Sequence, residues 1–184
     1  MVDRRAMVAQ LLLHEGCRLK PYLDTEGNWT VLVGYNLTAR TWEPIEKILG
    51  RRLDVRPLPG RPFGEPALTN ADAARVLGAD LDRLEAAVPV AFPEYANLSE
   101  IRRRVVLDMA FNLGVRALGF KQAIAAAKVH DWSQCARELY KSKWSRQVGD
   151  GPGGKFDRCD RLARMVLTNN APTDVPPLTD GFNL

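Results

Sequence analysis

Residues 14–38 constrain the fold more than any other part of the chain. They read His14-Glu15-Gly16, then Tyr22-Leu23-Asp24, then Gly27-Asn28-Trp29-Thr30, then Gly34-Tyr35-Asn36-Leu37-Thr38. Upstream, Met7, Val8, Leu11 and Leu12 recur at helical spacing behind Asp3, a candidate N-cap, and Gly16 supplies the stop. Residues 18–23 then alternate, with Leu19, Pro21 and Leu23 on one side. Thr25-Glu26-Gly27-Asn28 is a turn, and 29–33 is a β-rich run. The prediction is a helix that runs straight into a hairpin. Glu15 falls on the last helical turn, Asp24 opens the hairpin turn, and Thr30 lies on the returning strand.

Two carboxyl groups in unlike surroundings beside a hydroxyl suit cleavage of a glycosidic bond. One acid protonates the leaving oxygen, and the other group positions a water or attacks the sugar carbon. The negative end of a helix disfavours an anion, so Glu15 is expected to keep its proton and Asp24 to be ionised. A plainer alternative stays open on spacing alone. Asp in a turn is a common local hydrogen bonder, and Glu at a helix end is ordinary.

Further elements follow the same logic. A short helix over 42–49 is closed by Gly50, and 51–66 is a loop rich in proline, glycine and arginine. That loop is either a lip of a substrate cleft or a plain surface loop. Thr69-Asn70-Ala71-Asp72 approximates a capping box ahead of Ala73, Leu77, Leu81, Leu84 and Val88, which predicts a helix of about twenty residues ending before Pro89. Ser99 caps a helix with Ile101, Val105, Met109, Asn112 and Leu113 on one face, ended by Gly114. A polar Asn112 on that face needs a partner, in the backbone or in a ligand. Gly119-Phe120 opens a small helix through Val129, and Asp131 caps another with Trp132, Cys135, Ala136, Leu139 and Tyr140 on its face. Trp144 is expected in the core. Residues 149–154 form a glycine-rich loop without the Lys or spacing of a phosphate loop. A last helix over 157–167 buries Cys159, Leu162, Ala163, Val166 and Leu167, with Arg158 and Arg161 on another face. Residues 171–184 are irregular or dock on the surface.

Glu15-Gly16, Tyr22, Asp24, Gly27, Thr30, Gly34 and Thr38, in this order and spacing, resemble the signature of the phage-type lysozymes, glycoside hydrolase family 24. Phe111-Asn112-Leu113-Gly114 and Ser142-Lys143-Trp144 resemble further motifs of that family. The resemblance covers the chain apart from the enlarged 51–66 loop and the tail. It implies an α+β, predominantly helical, lysozyme-like fold in one catalytic domain. The small lobe spans about 15–68, a connecting helix about 69–88, and a helical lobe about 89–170 together with residues 1–14. It implies that Glu15 is the general acid and that Asp24 and Thr30 hold the attacking water, with inversion at the anomeric carbon. The substrate implied is peptidoglycan, cut between N-acetylmuramic acid and N-acetylglucosamine without metal or cofactor. Tyr35, Asn112 and Arg158 are the substrate-side residues, and the Arg matching Arg158 pairs with the catalytic Glu. Three positions depart from the pattern: Leu32 where some members carry Gly, Tyr35 where His is found, and Cys17 where an aliphatic residue is usual.

Composition adds bounds. A formal charge of +4, with Arg51-Arg52 and Arg102-Arg103-Arg104, suits an anionic wall polymer, and such runs serve equally as solvated faces. No nucleic-acid partner is expected, and a monomer is. Three cysteines without paired spacing give no disulfide framework, and His14 and His130 lack metal-like neighbours. No run is long enough to span a membrane, and the N-terminus does not read as a signal peptide. Accumulation in the host bacterial cytoplasm is expected, with a holin-type protein opening the membrane if this is an endolysin. Two rivals are a lytic transglycosylase and a non-catalytic basic protein that binds wall or membrane.

Overall fold

Gly16 ends the first helix as its sequence demands. Helix α1 (Arg4–Glu15) stops where Gly16 turns to φ +69° and its N–H bonds the Leu12 carbonyl at 2.9 Å. Only Cys17 then separates that turn from strand β1 (Arg18–Leu23), which pairs antiparallel with β2 (Trp29–Leu32), itself paired with β3 (Tyr35–Asn36). Tyr22 faces Thr30 and Leu23 faces Trp29 across the first pair, with a register shift between Arg18 and Tyr22. That irregularity breaks strict alternation. Pro21 is buried, but Leu23, expected on the same inward side, is 56% exposed.

This computed structural model describes residues 2–115, 119–149, 156–178 and 181–182. They form two units: Arg4–Asp82 with Val175–Leu184, the hairpin unit, and Met1–Asp3 with Arg83–Asp174, the helical unit. The first helix therefore belongs with the hairpin, not with the helical lobe where residues 1–14 were expected. Its short link to β1 ties it there, and Ala9, Leu12 and Leu13 share a cavity wall with Asn70, Pro176, Pro177, Leu178 and Phe182. The tail thus docks, with Phe182 buried.

Within the hairpin unit, α2 (Glu43–Leu49) has Pro44 in its first turn and ends on Gly50 at φ +66°. The 51–66 loop contains a single bridge, Leu58 to Arg61. It is anchored on the hairpin: the Phe63 ring lies 6.2 Å from that of Trp29, and Glu65 pairs with Lys20 at 3.1 Å and with Arg61. Arg51, Arg52 and Arg56 pair with Asp72, Glu46 and Asp54. These arginines are locally neutralised, so the loop is not the bare cationic strip that its composition suggests. Helix α3 (Asn70–Ala91) opens on the anticipated box, with Asp72 accepting from the Thr69 N–H and hydroxyl at 2.9 Å and Thr69 Oγ1 accepting from the Asp72 N–H. The helix runs through Pro89 to Ala91 instead of ending before it. Proline there removes one hydrogen bond in the closing turn, which the helix tolerates far better than an interior loss.

The helical unit holds a 3-10 turn (Pro93–Asn97), α4 (Glu100–Leu113), α5 (Lys121–Lys128), α6 (Trp132–Lys141), α7 (Lys143–Gln147) and α8 (Arg158–Thr168). Ser99 and Asp131 cap α4 and α6 as expected, and Asp157 with Asp160 forms a capping box on α8. Val105, Met109, Leu139, Trp144, Cys159 and Leu162 sit in one apolar core. On α8 the buried stripe includes Met165, whereas Leu167 is 49% exposed. Most of the 149–154 loop lies outside the described residues. No helix among the described residues is long and apolar enough to cross a membrane. The architecture is α+β and predominantly helical.

Candidate active site

Asp24 is the best-fixed carboxylate of the hairpin. Its Oδ1 accepts from the Glu26 N–H at 2.9 Å and from the Asn28 N–H at 2.8 Å, and its Oδ2 accepts from the Thr30 hydroxyl at 3.2 Å. The backbone closes the same turn twice, Asp24 N–H to Asn28 carbonyl at 2.9 Å and Gly27 N–H to Asp24 carbonyl at 3.1 Å. Gly27 takes φ +78°, a conformation that other residues adopt at a cost. Partial burial works to raise the Asp24 pKa. The Asn28 and Glu26 amides and the Thr30 hydroxyl outweigh it and hold the carboxyl below its ordinary value. Asp24 is thus an anion at neutral pH, as expected.

Thr30 is buried on β2, opposite Tyr22 on one side and Asn36 on the other. Its position is secured by its neighbour: the Trp29 N–H donates to Thr38 Oγ1 at 2.8 Å, and the Trp29 carbonyl accepts from the Leu37 N–H at 2.7 Å. These bonds give Thr38, quoted from the sequence without a role, the task of closing the strand. Glu15 is the last residue of α1, half-buried, in the same unit. The Tyr22 phenol registers both acids: burial raises its pKa, Arg18 opposes the rise, and the charges of Asp24 and Glu15 add to it. Glu15, Tyr22, Asp24 and Thr30 therefore share one neighbourhood.

The other three candidates lie differently. Tyr35 was expected on the substrate side, yet its ring is 1% exposed and its hydroxyl donates to the Thr41 carbonyl at 3.0 Å, with Arg40 stacked 4.1 Å from the ring centre. A side chain so enclosed packs the hairpin instead of presenting a face to sugar. Asn112 is exposed in the helical unit, and its Oδ1 accepts from the Trp144 indole at 3.0 Å, which supplies the partner its position demanded. Arg158, also in the helical unit, is not solvated. Its Nε donates to Asp108 Oδ1 at 2.8 Å and its Nη2 to the same oxygen at 2.7 Å, with Arg158 7% and Asp108 0% exposed. Sequence reasoning missed Asp108. An acid between Val105 and Met109 on a buried helix face was the available signal.

An ionised Asp lies under a Thr hydroxyl on a hairpin that follows directly from a helix ending in Glu, and the family match over this stretch makes the chain a lysozyme-type glycoside hydrolase. The chain belongs to the phage lysozyme family, whose pattern it matches over residues 13–159. It is 27% identical to Probable T4-type lysozyme 1 of Dictyostelium discoideum over 144 residues, which cover 73% of this chain and 81% of that protein. It is 26% identical to Probable T4-type lysozyme 2 of the same organism over 141 residues, with the same coverage. It is also 26% identical to the pre-baseplate central spike protein Gp5 of Enterobacteria phage T4 over 172 residues, 90% of this chain but 28% of Gp5.

Proposed function

We propose that the protein hydrolyses peptidoglycan at the β-1,4 bond between N-acetylmuramic acid and N-acetylglucosamine. Glu15 gives its proton to the leaving oxygen. Asp24 and Thr30 hold the water that adds to the anomeric carbon, and Asp24 accepts the proton that this water loses. The bond formed is carbon to water oxygen, the bond broken is carbon to leaving oxygen, and no electron acceptor is needed. The observation that carries the reading is the Thr30 hydroxyl on the Asp24 carboxylate at 3.2 Å, with that carboxylate kept ionised by two backbone amides. A water-holding pair has no use in a transglycosylase, which closes the sugar on itself. The resemblance implies a substrate-side role for Asn112 and Arg158. Trp144 and Asp108 fix those two side chains. An endolysin role fits this chemistry, with a second protein opening the membrane.

Purified sacculi digested with the parent protein and with Glu15→Gln test the proposal. The parent should release reducing muramic acid ends, and Glu15→Gln should release none while keeping its fold. Chloroform-permeabilised Gram-negative cells should lyse only with the parent. Lysis by Glu15→Gln at the parent rate, or products ending in 1,6-anhydro sugars, would overturn the assignment.

A further inference from the structure

Most of the arginines near the hairpin are spent on carboxylates of the chain itself. Arg51, Arg52, Arg56 and Arg61 pair with Asp72, Glu46, Asp54 and Glu65, and Arg40 pairs with Asp80. Arg18 differs. It is exposed, three residues after Glu15, and has no ion-pair partner among the described residues. Its guanidinium is nevertheless held in place, 4.2 Å from the centre of the Tyr22 ring. Stacking of this kind orients the planar cation and leaves its N–H edge available for a second partner.

The backbone builds this arrangement. The register of β1 on β2 shifts between Arg18 and Tyr22. Such a bulge bends a strand and re-aims side chains, and bulges recur beside active sites. Tyr22 in turn stands directly across from Thr30. Its phenol feels the charges of both Glu15 and Asp24. An unpaired, oriented cation is thus attached to the wall of the site through a single aromatic ring.

We infer that Arg18, stacked on Tyr22, binds a carboxylate of the substrate at the edge of the reaction site. This rests on the lysozyme reading above. In peptidoglycan a carboxylate near the scissile bond comes from the peptide stem or from the lactyl group of an unsubstituted muramic acid. A planar guanidinium takes either with two parallel N–H bonds, which a neutral chitin-like chain does not offer. Arg18 is therefore a specificity-determining residue, distinct from the groups that move protons.

Binding in a Glu15→Gln background, where cleavage is blocked, isolates the contribution. Co-sedimentation would compare Arg18 with Arg18→Gln on intact sacculi and on sacculi whose carboxylates are amidated. Arg18→Gln should weaken binding to intact sacculi about five-fold, the scale of an exposed but oriented ion pair. Amidation should weaken the Arg18 protein by a similar factor and cost the Arg18→Gln protein nothing further. Arg18→Lys should recover part of the loss, because it keeps charge without the fork. Amidase-stripped glycan separates the sources: an Arg18 effect retained there assigns the lactyl carboxylate, and one lost there assigns the stem. Equal binding of the two proteins to intact sacculi, or losses that add fully, would overturn the inference. The lysozyme reading fails separately, if the parent protein releases no reducing ends from sacculi.

Discussion

Thr30→Val separates the water-holding role of Thr30 from its packing role. The side chain is buried, and valine keeps its volume and β-branching, so packing on β2 changes little. What is lost is the hydroxyl proton, shared between Asp24 Oδ2 at 3.2 Å and the more distant Asn28 carbonyl at 3.4 Å. A hydrogen bond to a charged group contributes about 1.5–3 kcal/mol, but Asp24 keeps two amide donors and is partly solvated, so we expect a cost of about 1 kcal/mol. For a chain of this size that lowers the unfolding midpoint by about 2–4 °C. The sign with pH follows from the carboxylate. Asp24 has a folded pKa below its unfolded one, so its contribution is present above the unfolded value and lost as pH falls through the folded value. The deficit of Thr30→Val should therefore be seen at neutral pH and fade in acid. Turnover should suffer far more, by about 100-fold, the usual scale for removing one oriented donor from a reaction site. Thermal unfolding at neutral and acid pH, beside reducing-end release from sacculi, measures both, with Thr30→Ser as the variant that keeps the hydroxyl. Turnover within about two-fold of the parent for Thr30→Val would refute the water-holding role.

Three other predictions follow from single contacts. Asp108→Ala removes one carboxylate from the buried Arg158 and should cost about 3–5 kcal/mol in chemical denaturation, whereas Asp108→Leu combined with Arg158→Met should recover most of it; equal costs for the two variants would contradict the pairing. Leu32→Gly relieves a left-handed backbone at φ +56°, a gain of about 1–2 kcal/mol, but empties a site where the side chain is 1% exposed, a loss of about 3–5 kcal/mol, so it should destabilise on balance. Among the cysteines, burial pushes Cys159 up to about 12 and Cys135 up to about 11, so alkylation of the native protein at pH 8 should label half-exposed Cys17 first, as read by peptide mass spectrometry.

The parts of this protein that could be read from sequence are those whose physics is local. Gly16 and Gly50 end helices because a left-handed turn follows the last helical residue, and Ser99, Thr69 and Asp131 mark helix starts because their oxygens reach amides three residues on. Asp24 and Thr30 were legible for the same reason, since six residues of tight hairpin leave little freedom in where they meet. Contacts across long stretches of chain carry no periodic signal. Arg158 and Asp108 lie 50 positions apart, and the aromatic pairing of Phe63 with Trp29 comes from a loop whose composition announces only irregularity. Tyr35 was expected on the substrate side because a residue beside a candidate catalytic motif looks functional until its burial is known. Helix α1 was grouped with the wrong unit because its apolar stripe shows that one face is covered, without showing by what.

The same contacts explain how so small a sheet can hold the proposed reaction site. Strands of six, four and two residues form few ladder bonds, and a sheet of that size is marginal by itself. Three anchors outside the ladder supply the stiffness. The Asp24 carboxylate closes the first turn through the Glu26 and Asn28 amides. Leu32 pins the second turn: its left-handed backbone costs free energy that only its complete burial repays, so the turn has one favoured position. Phe63 covers Trp29 from the 51–66 loop. Thr30 lies between these anchors, and a positioned hydroxyl loses rate steeply with displacements too small to disturb packing. Substitutions at the anchors should therefore damage turnover before they damage folding. The departure at Leu32, where the resemblance implies Gly in some members, becomes intelligible on this basis: a buried leucine fixes by packing what a glycine permits by freedom.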